Sequence, residues 1–188
     1  MLIGLCGKSG TGKSTIAKEI EALGYNRVVT DTTRPPRPGE EHGIDYWFDS
    51  EEMWQELWNE KQFVEHTSYK VASGDIWKYG ITVGALDDAG ENAVIILNPD
   101  GVKAFKRKRI PVKIVLIETD KETLLQRLEL RGDNPAEAAR RLAADENDFK
   151  DMHRYADLKI KNNTDNNPKD LATLIVRLVQ TSSKEKGD

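Results

Sequence analysis

Gly7-Lys8-Ser9-Gly10-Thr11-Gly12-Lys13-Ser14 decides how the rest of this 188-residue chain is read. It satisfies G-x-x-x-x-G-K-[ST] at every fixed position. The apolar run Leu2–Cys6 precedes it, and Ile16, Ile20 and Leu23 follow at helical spacing until Gly24 stops them. A strand, a glycine-rich turn and a helix N-terminus in that order form an anion cradle. Glycines let successive backbone N–H groups turn inward, and the helix adds the positive end of its dipole. Lys13 is placed to reach the β- and γ-phosphates of a nucleoside triphosphate, and the Ser14 hydroxyl to ligate Mg²⁺. Gly7, Ser9, Gly10, Thr11, Gly12, Lys13, Ser14 and Thr15 are therefore the candidate contacts for that ligand. A GTPase with such a loop also needs an Asn-Lys-x-Asp run to read guanine, and Asn162-Asn163 comes no closer than its first residue.

Outward from the loop, residues 94–97 and 112–117 are continuous apolar runs bounded by breakers, which suits strands buried on both faces of a parallel sheet. Residues 123–130, 135–152 and 168–180 carry helical periodicity. In the last of these Leu171, Leu174, Ile175, Leu178 and Val179 make a one-sided stripe. Residues 31–85 differ: aromatic and polar, with extended pieces at 46–48, 62–65 and 79–83. A helix is expected at 51–60, with Met53, Trp54, Leu57 and Trp58 on its buried side. The expected fold is α/β, a central parallel sheet flanked by helices, with a mostly antiparallel lobe inserted in it. Residues 181–188 have nothing to bury and are expected to be disordered.

The composition excludes several function classes. Apolar residues make up 38% and charged residues 32%, with 28 basic against 32 acidic and a net charge of −4. That balance opposes binding nucleic acid through bulk electrostatics, and Lys103-Ala-Phe-Lys-Arg-Lys-Arg109 reads as a solvated helix end. No apolar stretch approaches the ~20 residues that span a bilayer, and the N-terminus lacks a secretory signal pattern. Cys6 is the single cysteine, which suits a reducing compartment, so a cytoplasmic protein is expected. His42, His66 and His153 show no metal-ligand spacing.

The second constellation is Thr30-Asp-Thr-Thr-Arg34-Pro-Pro-Arg37-Pro-Gly39. Prolines stiffen the chain around Arg34 and Arg37, so two guanidinium forks are expected to be held out toward a phosphate dianion. A proline-rich surface loop with solvated arginines is the alternative for this segment alone.

Thr32-Thr-Arg-Pro-Pro-Arg-Pro-Gly-Glu40, followed by Gly43-Ile-Asp-Tyr-Trp-Phe48, resembles the acceptor-binding signature of guanylate kinases. The resemblance continues in order through Phe63-Val-Glu65, Tyr79-Gly80, Arg127-Leu-Glu-Leu-Arg131-Gly132, Arg140-Arg141-Leu142 and Ile160-Lys-Asn162. It implies a single domain: a core at about 1–30, 86–126 and 153–180, an acceptor lobe at about 31–85, and a closing lid at about 127–152. It also implies phosphoryl transfer from ATP·Mg²⁺ to a nucleoside monophosphate, GMP or dGMP first. Thr30, Arg34, Arg37, Tyr46 and Tyr79 then fall to the acceptor, Glu65 to guanine, and Arg127, Arg131 and Asn162 to the ATP side. Lys13, Arg34, Arg131 and Arg141 are implied to stabilise the transferring phosphoryl group. Small nucleotides are the implied partners, with no nucleic acid or membrane, for a monomer or homodimer.

Three departures touch base recognition. Family members carry carboxylates at the end of the strand matching residues 94–97, where this chain has Leu97-Asn-Pro-Asp100-Gly101, so Asp100 is the candidate. The small hydroxyl residue usual after Tyr-Gly is Ile81, and the stretch between Glu65 and Tyr79 is long. A monophosphate kinase with another base preference, and a small-metabolite kinase on the same scaffold, remain alternatives. A non-catalytic phosphopeptide-binding module is a further one, opposed by the complete loop.

Overall fold

The structure is a computed structural model that describes every residue except Ala72, Arg131, Asp133, Asn134 and residues 185–188. Residues group into two compact units, Met1–Arg27 with Glu91–Asp188, and Val28–Gly90.

The first unit is a five-stranded parallel sheet in the order β2-β7-β1-β8-β9. Its strands are β1 (Leu2–Cys6), β2 (Asn26–Arg27), β7 (Ala93–Ile96), β8 (Lys113–Glu118) and β9 (Leu158–Lys161). Helices α1 (Lys13–Glu21) and α7 (Pro168–Lys184) pack together on the face that carries Ile3, Leu5, Val94, Val115 and Ile117. They bury Ile16, Ala17, Ile20, Leu171, Ala172, Ile175 and Val179, and such non-alternating burial of both strand faces is why the runs read as continuous apolar sequence. Each buried Ile or Val contributes roughly 1.5–3 kcal/mol. The unit is completed by α4 (Pro99–Lys108), α5 (Lys121–Leu130) and α6 (Pro135–Asp148).

The second unit is a four-stranded mixed sheet, β4-β3-β6-β5, built from β3 (Asp31–Thr32), β4 (Trp47–Phe48), β5 (Phe63–Lys70) and β6 (Ile76–Thr82). Its pairs β3–β6 and β5–β6 are antiparallel, whereas β3–β4 is parallel. It also holds α2 (Glu51–Asn59) and α3 (Val83–Ala89). Trp54 stacks on Phe63 with ring centroids 4.4 Å apart, directly over Gly80. A Cβ at position 80 would lie 2.4 Å from the Phe63 ring and 2.9 Å from Trp54, so only glycine lets this stack close on the sheet.

Several expectations are corrected here. On α2 only Trp54 is buried; Met53 and Trp58 are both 47% exposed. In α7 Leu174 lies outside the buried stripe. The same helix runs to Lys184, four residues into the stretch expected to be disordered, and residues 185–188 lie outside the described residues. Strand β5 runs five residues past its expected end, and β9 and α3 were not expected at all.

Candidate active site

The loop between β1 and α1 turns on Gly12, whose φ of 86° belongs to the left-handed region. A Cβ at Gly12 would lie 2.5 Å from Asn162 Nδ2, so the position admits no side chain. Asn162, 3% exposed at the end of β9, donates from Nδ2 to Thr11 O at 2.8 Å. Its Oδ1 is buried without a hydrogen-bond partner, an acceptor beside the loop that suits an amino donor of a ligand. Arg127, on α5, donates to Gly10 O at 3.5 Å and to Asn163 O at 3.3 Å, and burial lowers its pKa. Gly10, Gly12, Thr11, Arg127 and Asn162 thus come together as one braced loop. Thr11 is 1% exposed and its hydroxyl donates to Lys8 O at 2.8 Å.

Lys13 begins α1 and folds its Nζ back onto Gly7 O at 2.6 Å and Lys8 O at 2.9 Å. The ammonium is thereby held against two carbonyls of the loop itself. Ser14 and Thr15 are exposed on the first turn of α1. For Mg²⁺ the protein donor here is the Ser14 hydroxyl, a hard oxygen, and no group of three or more His, Cys, Asp or Glu suits a metal among the described residues. That donor set fits Mg²⁺, which binds through few protein oxygens and the substrate's phosphates. Ser9 N donates to Asp145 Oδ2 of α6 at 2.6 Å, and Lys8 Nζ donates to Glu146 Oε1 at 2.8 Å. Arg141 lies half-buried on α6, one turn before Asp145. Arg131 lies outside the described residues. Cys6 is buried, and burial pushes its thiol up to about 11, so it acts as a small apolar residue.

In the second unit Arg34 is not held out. It is 2% exposed and turned inward, with Nη2 on Glu40 Oε1 at 3.0 Å and Oε2 at 2.9 Å, and Nη1 on Pro35 O at 2.7 Å. The prolines shape a turn that Glu40 closes by accepting from Arg37 N at 2.8 Å. A buried guanidinium must be paired, and Glu40 pairs it. Its plane also lies over Tyr46 at 5.3 Å and Phe48 at 5.6 Å. Tyr46 meets Tyr79 with centroids 6.3 Å apart, and Tyr79 meets Tyr69 at 5.8 Å. Arg37 stays at the rim, its side chain 30% exposed and Nη1 3.8 Å from Glu40. Register places Glu65 opposite Ile81 and Thr67 opposite Tyr79, so Glu65, Thr67, Tyr69, Tyr79 and Ile81 share one sheet face. Thr30 is half-buried beside β3, its carbonyl accepting from Trp47 N at 2.9 Å. Ile81, 4% exposed, supplies an apolar wall next to Glu65.

Asp100 does not sit at a strand end. It lies in the first turn of α4, 55% exposed in its side chain and 3.9 Å from Lys103 Nζ. The strand-end position is Asn98, which caps α4 by accepting from Gly101 N at 2.6 Å. Asn followed by Pro and Asp is helix-start chemistry, which is why Asp100 falls on the first turn of α4 and not at the strand end.

Sequence reading passed over Tyr69 and Asp31. Strand alternation out of Glu65 finds Tyr69, but β5 was expected to stop too soon. Asp31 is 5% exposed, with Oδ2 buried and without a hydrogen-bond partner. Burial, then the neighbouring Asp49, raise its carboxyl to about 7, partly offset by Thr82. Asp49, just past β4, is raised to about 6 by burial, with His42 acting against it. No motif marks such a pair, since its two members come together only when β3 and β4 align.

A family model described as guanylate kinase matches residues 1–178. The guanylate kinase of Onion yellows phytoplasma is 33% identical over 193 aligned positions, covering 98% of this chain and 88% of that protein. The guanylate kinase of Sus scrofa is 35% identical over 150, covering 74% and 72%. In fold, the crystal structure of guanylate kinase from Anaplasma phagocytophilum matches with a TM-score of 0.68 at 22% identity, over 96% of this chain and 85% of that one. With its loop, its acceptor signature and these relatives in agreement along nearly the whole sequence, the chain belongs to the guanylate kinase family.

Proposed function

We propose that this chain transfers the γ-phosphoryl group of ATP to GMP, or to dGMP, giving ADP and the nucleoside diphosphate. The observation that carries this reading is the cluster Arg34–Tyr46–Tyr79, whose Tyr79 lies on the sheet face that also presents Glu65. A guanidinium and phenolic hydroxyls serve a phosphate, and a carboxylate accepts from both N1–H and the 2-amino group of guanine. Adenine lacks that paired donor edge. Membership of the family and the braced loop support the donor side.

In the reaction an oxygen of the acceptor phosphate attacks the γ-phosphorus in line, and the bond to the β–γ bridging oxygen breaks. No protein base is required, because the phosphate dianion is already a competent nucleophile at neutral pH. Lys13 exchanges its two carbonyl partners for phosphate oxygens and neutralises charge as it develops. Backbone N–H groups of the loop orient the triphosphate, while Arg127 and Asn162 keep the loop in shape. Arg34, fixed by Glu40 and Tyr46, holds the acceptor side, with Arg37 reaching in from the rim. Arg131 and Arg141 add positive charge at the transferring group. Ser14 Oγ would hold Mg²⁺, which when bound would supply further charge neutralisation to the phosphates. The enzyme so described works on free nucleotides in the cytoplasm, as a monomer or homodimer, without a nucleic-acid or membrane partner; among the described residues no helix is long and apolar enough to cross a membrane. The test is ³¹P NMR of ATP, Mg²⁺ and GMP with the protein. Growth of paired diphosphate resonances of GDP and ADP is expected, and ATP hydrolysis without GDP would overturn the reading.

A further inference from the structure

The phosphate loop already holds an anion, and that anion belongs to the protein. Asp145 Oδ2 accepts from Ser9 N at 2.6 Å, as a phosphate oxygen would in a nest of backbone N–H groups. The next residue along α6, Glu146, accepts from Lys8 Nζ at 2.8 Å, so two successive helix residues grip two successive loop residues. The contacts differ in weight. The Lys8–Glu146 pair is exposed on the Glu146 side at 70%, and such pairs contribute little. The Asp145 contact is a short charge-assisted bond to a backbone donor in a half-buried site. A carboxylate that neutralises the cradle in this way must leave before a triphosphate can enter, because two anions cannot share one N–H.

We infer that Asp145 is an autoinhibitory latch, a carboxylate on α6 that occupies the phosphate loop and is displaced by the triphosphate of ATP. This rests on the loop being the ATP site. A protein whose binding-competent state is only a fraction of the total binds with its affinity lowered by that fraction. Removing the latch therefore tightens triphosphate binding without any new contact. Arg141 stands one turn earlier on the same face of α6, so expulsion of Asp145 and delivery of a guanidinium are coupled movements of one helix.

The test is titration calorimetry of inorganic tripolyphosphate into wild type, Asp145→Ala, Asp145→Asn and Lys13→Ala, with steady-state kinetics alongside. Asp145→Ala is expected to bind tripolyphosphate about 10-fold more tightly, the scale of one charge-assisted hydrogen bond. KM for ATP should fall in parallel while KM for GMP stays unchanged. Asp145→Asn keeps an acceptor of the same shape and should tighten binding by about 3-fold; it also serves if the alanine variant does not fold. Unchanged or weaker binding in both Asp145 variants overturns the latch. So does a kcat loss with KM for ATP unmoved, which would make Asp145 a participant in transfer. If wild type fails to bind tripolyphosphate and Lys13→Ala changes nothing, the loop reading itself has failed, a distinguishable result.

Discussion

On the function proposed above, the two units of this molecule would bind phosphate by opposite means. In the first, the proposed binding groups are backbone N–H donors of the six-residue turn between β1 and α1, and side chains such as Asn162 and Arg127 brace that turn. In the second, the proposed binding group is Arg34, a side chain that is 2% exposed and stays in place through Glu40, Pro35 and Tyr46. Backbone recognition demands a fixed local sequence, because glycine conformations are set residue by residue. Side-chain recognition demands tertiary partners instead, and those lie apart in sequence and vary more freely. The difference shows in this chain's own sequence: the loop matches G-x-x-x-x-G-K-[ST] at every fixed position, whereas Ile81 and Asn98 stand where the resemblance leads one to expect a hydroxyl residue and a carboxylate.

The comparison breaks most visibly at Lys13. Lys13→Ala is expected to lower kcat by about 10²-fold or more, since it removes a cation placed on the transferring phosphoryl group. A turnover within twofold of wild type in an ADP-release assay would end the account of the first unit. On the acceptor side Glu65→Ala should lower kcat/KM for GMP by roughly 10²-fold while leaving KM for ATP alone, because guanine's donor edge loses its acceptor. An equal loss for ATP would mean that the two binding modes are not separable.

Packing decides the next effect. Glu40→Gln leaves the buried Arg34 guanidinium without its counter-charge, and a loss of about 2–4 kcal/mol in urea unfolding is expected, together with a raised KM for GMP. A variant as stable as wild type would show that Arg34 finds another partner.

The smallest effect concerns the carboxyl pair. Asp31 is raised from its ordinary value to about 7, so its contribution to stability is fully present below pH 4 and is lost as pH rises through about 7. Asp49, raised to about 6, adds to the same trend over a slightly lower range. Asp31→Asn should therefore raise the melting temperature at pH 8 by several degrees and change it little at pH 4. A larger gain at pH 4 would reverse the sign and show that the native state prefers the charged carboxylate.

Much of the fold was legible because the first unit advertises itself. Runs such as residues 94–97 and 112–117 have no polar alternation, and a parallel sheet covered on both faces is what produces that. The loop was legible for the same local reason. Less of the second unit could be read ahead. Its strands are as short as Asp31–Thr32 and Trp47–Phe48, too short for any period to register. The expectation that Arg34 points outward followed from the stiffness of its prolines, and that local argument contains nothing of Glu40 folding back to pair the guanidinium. Asp100 was proposed by elimination among carboxylates, whereas Asn98-Pro99 mark the start of a helix and place Asp100 on its first turn. The latch contact and the Asp31–Asp49 pair join residues 136 and 18 positions apart, and nothing local announces either.

The central claim is that an ordinary phosphate loop here serves a guanine-reading acceptor site in which Glu65 faces an apolar neighbour. A coupled ADP-release assay with ATP·Mg²⁺ against GMP, dGMP, AMP, dAMP, CMP, dCMP, UMP and dTMP tests it most directly. Turnover confined to GMP and dGMP is the predicted result, with Glu65 sufficient to select guanine beside Ile81. Turnover centred on any other base, or on none of the eight, would contradict it.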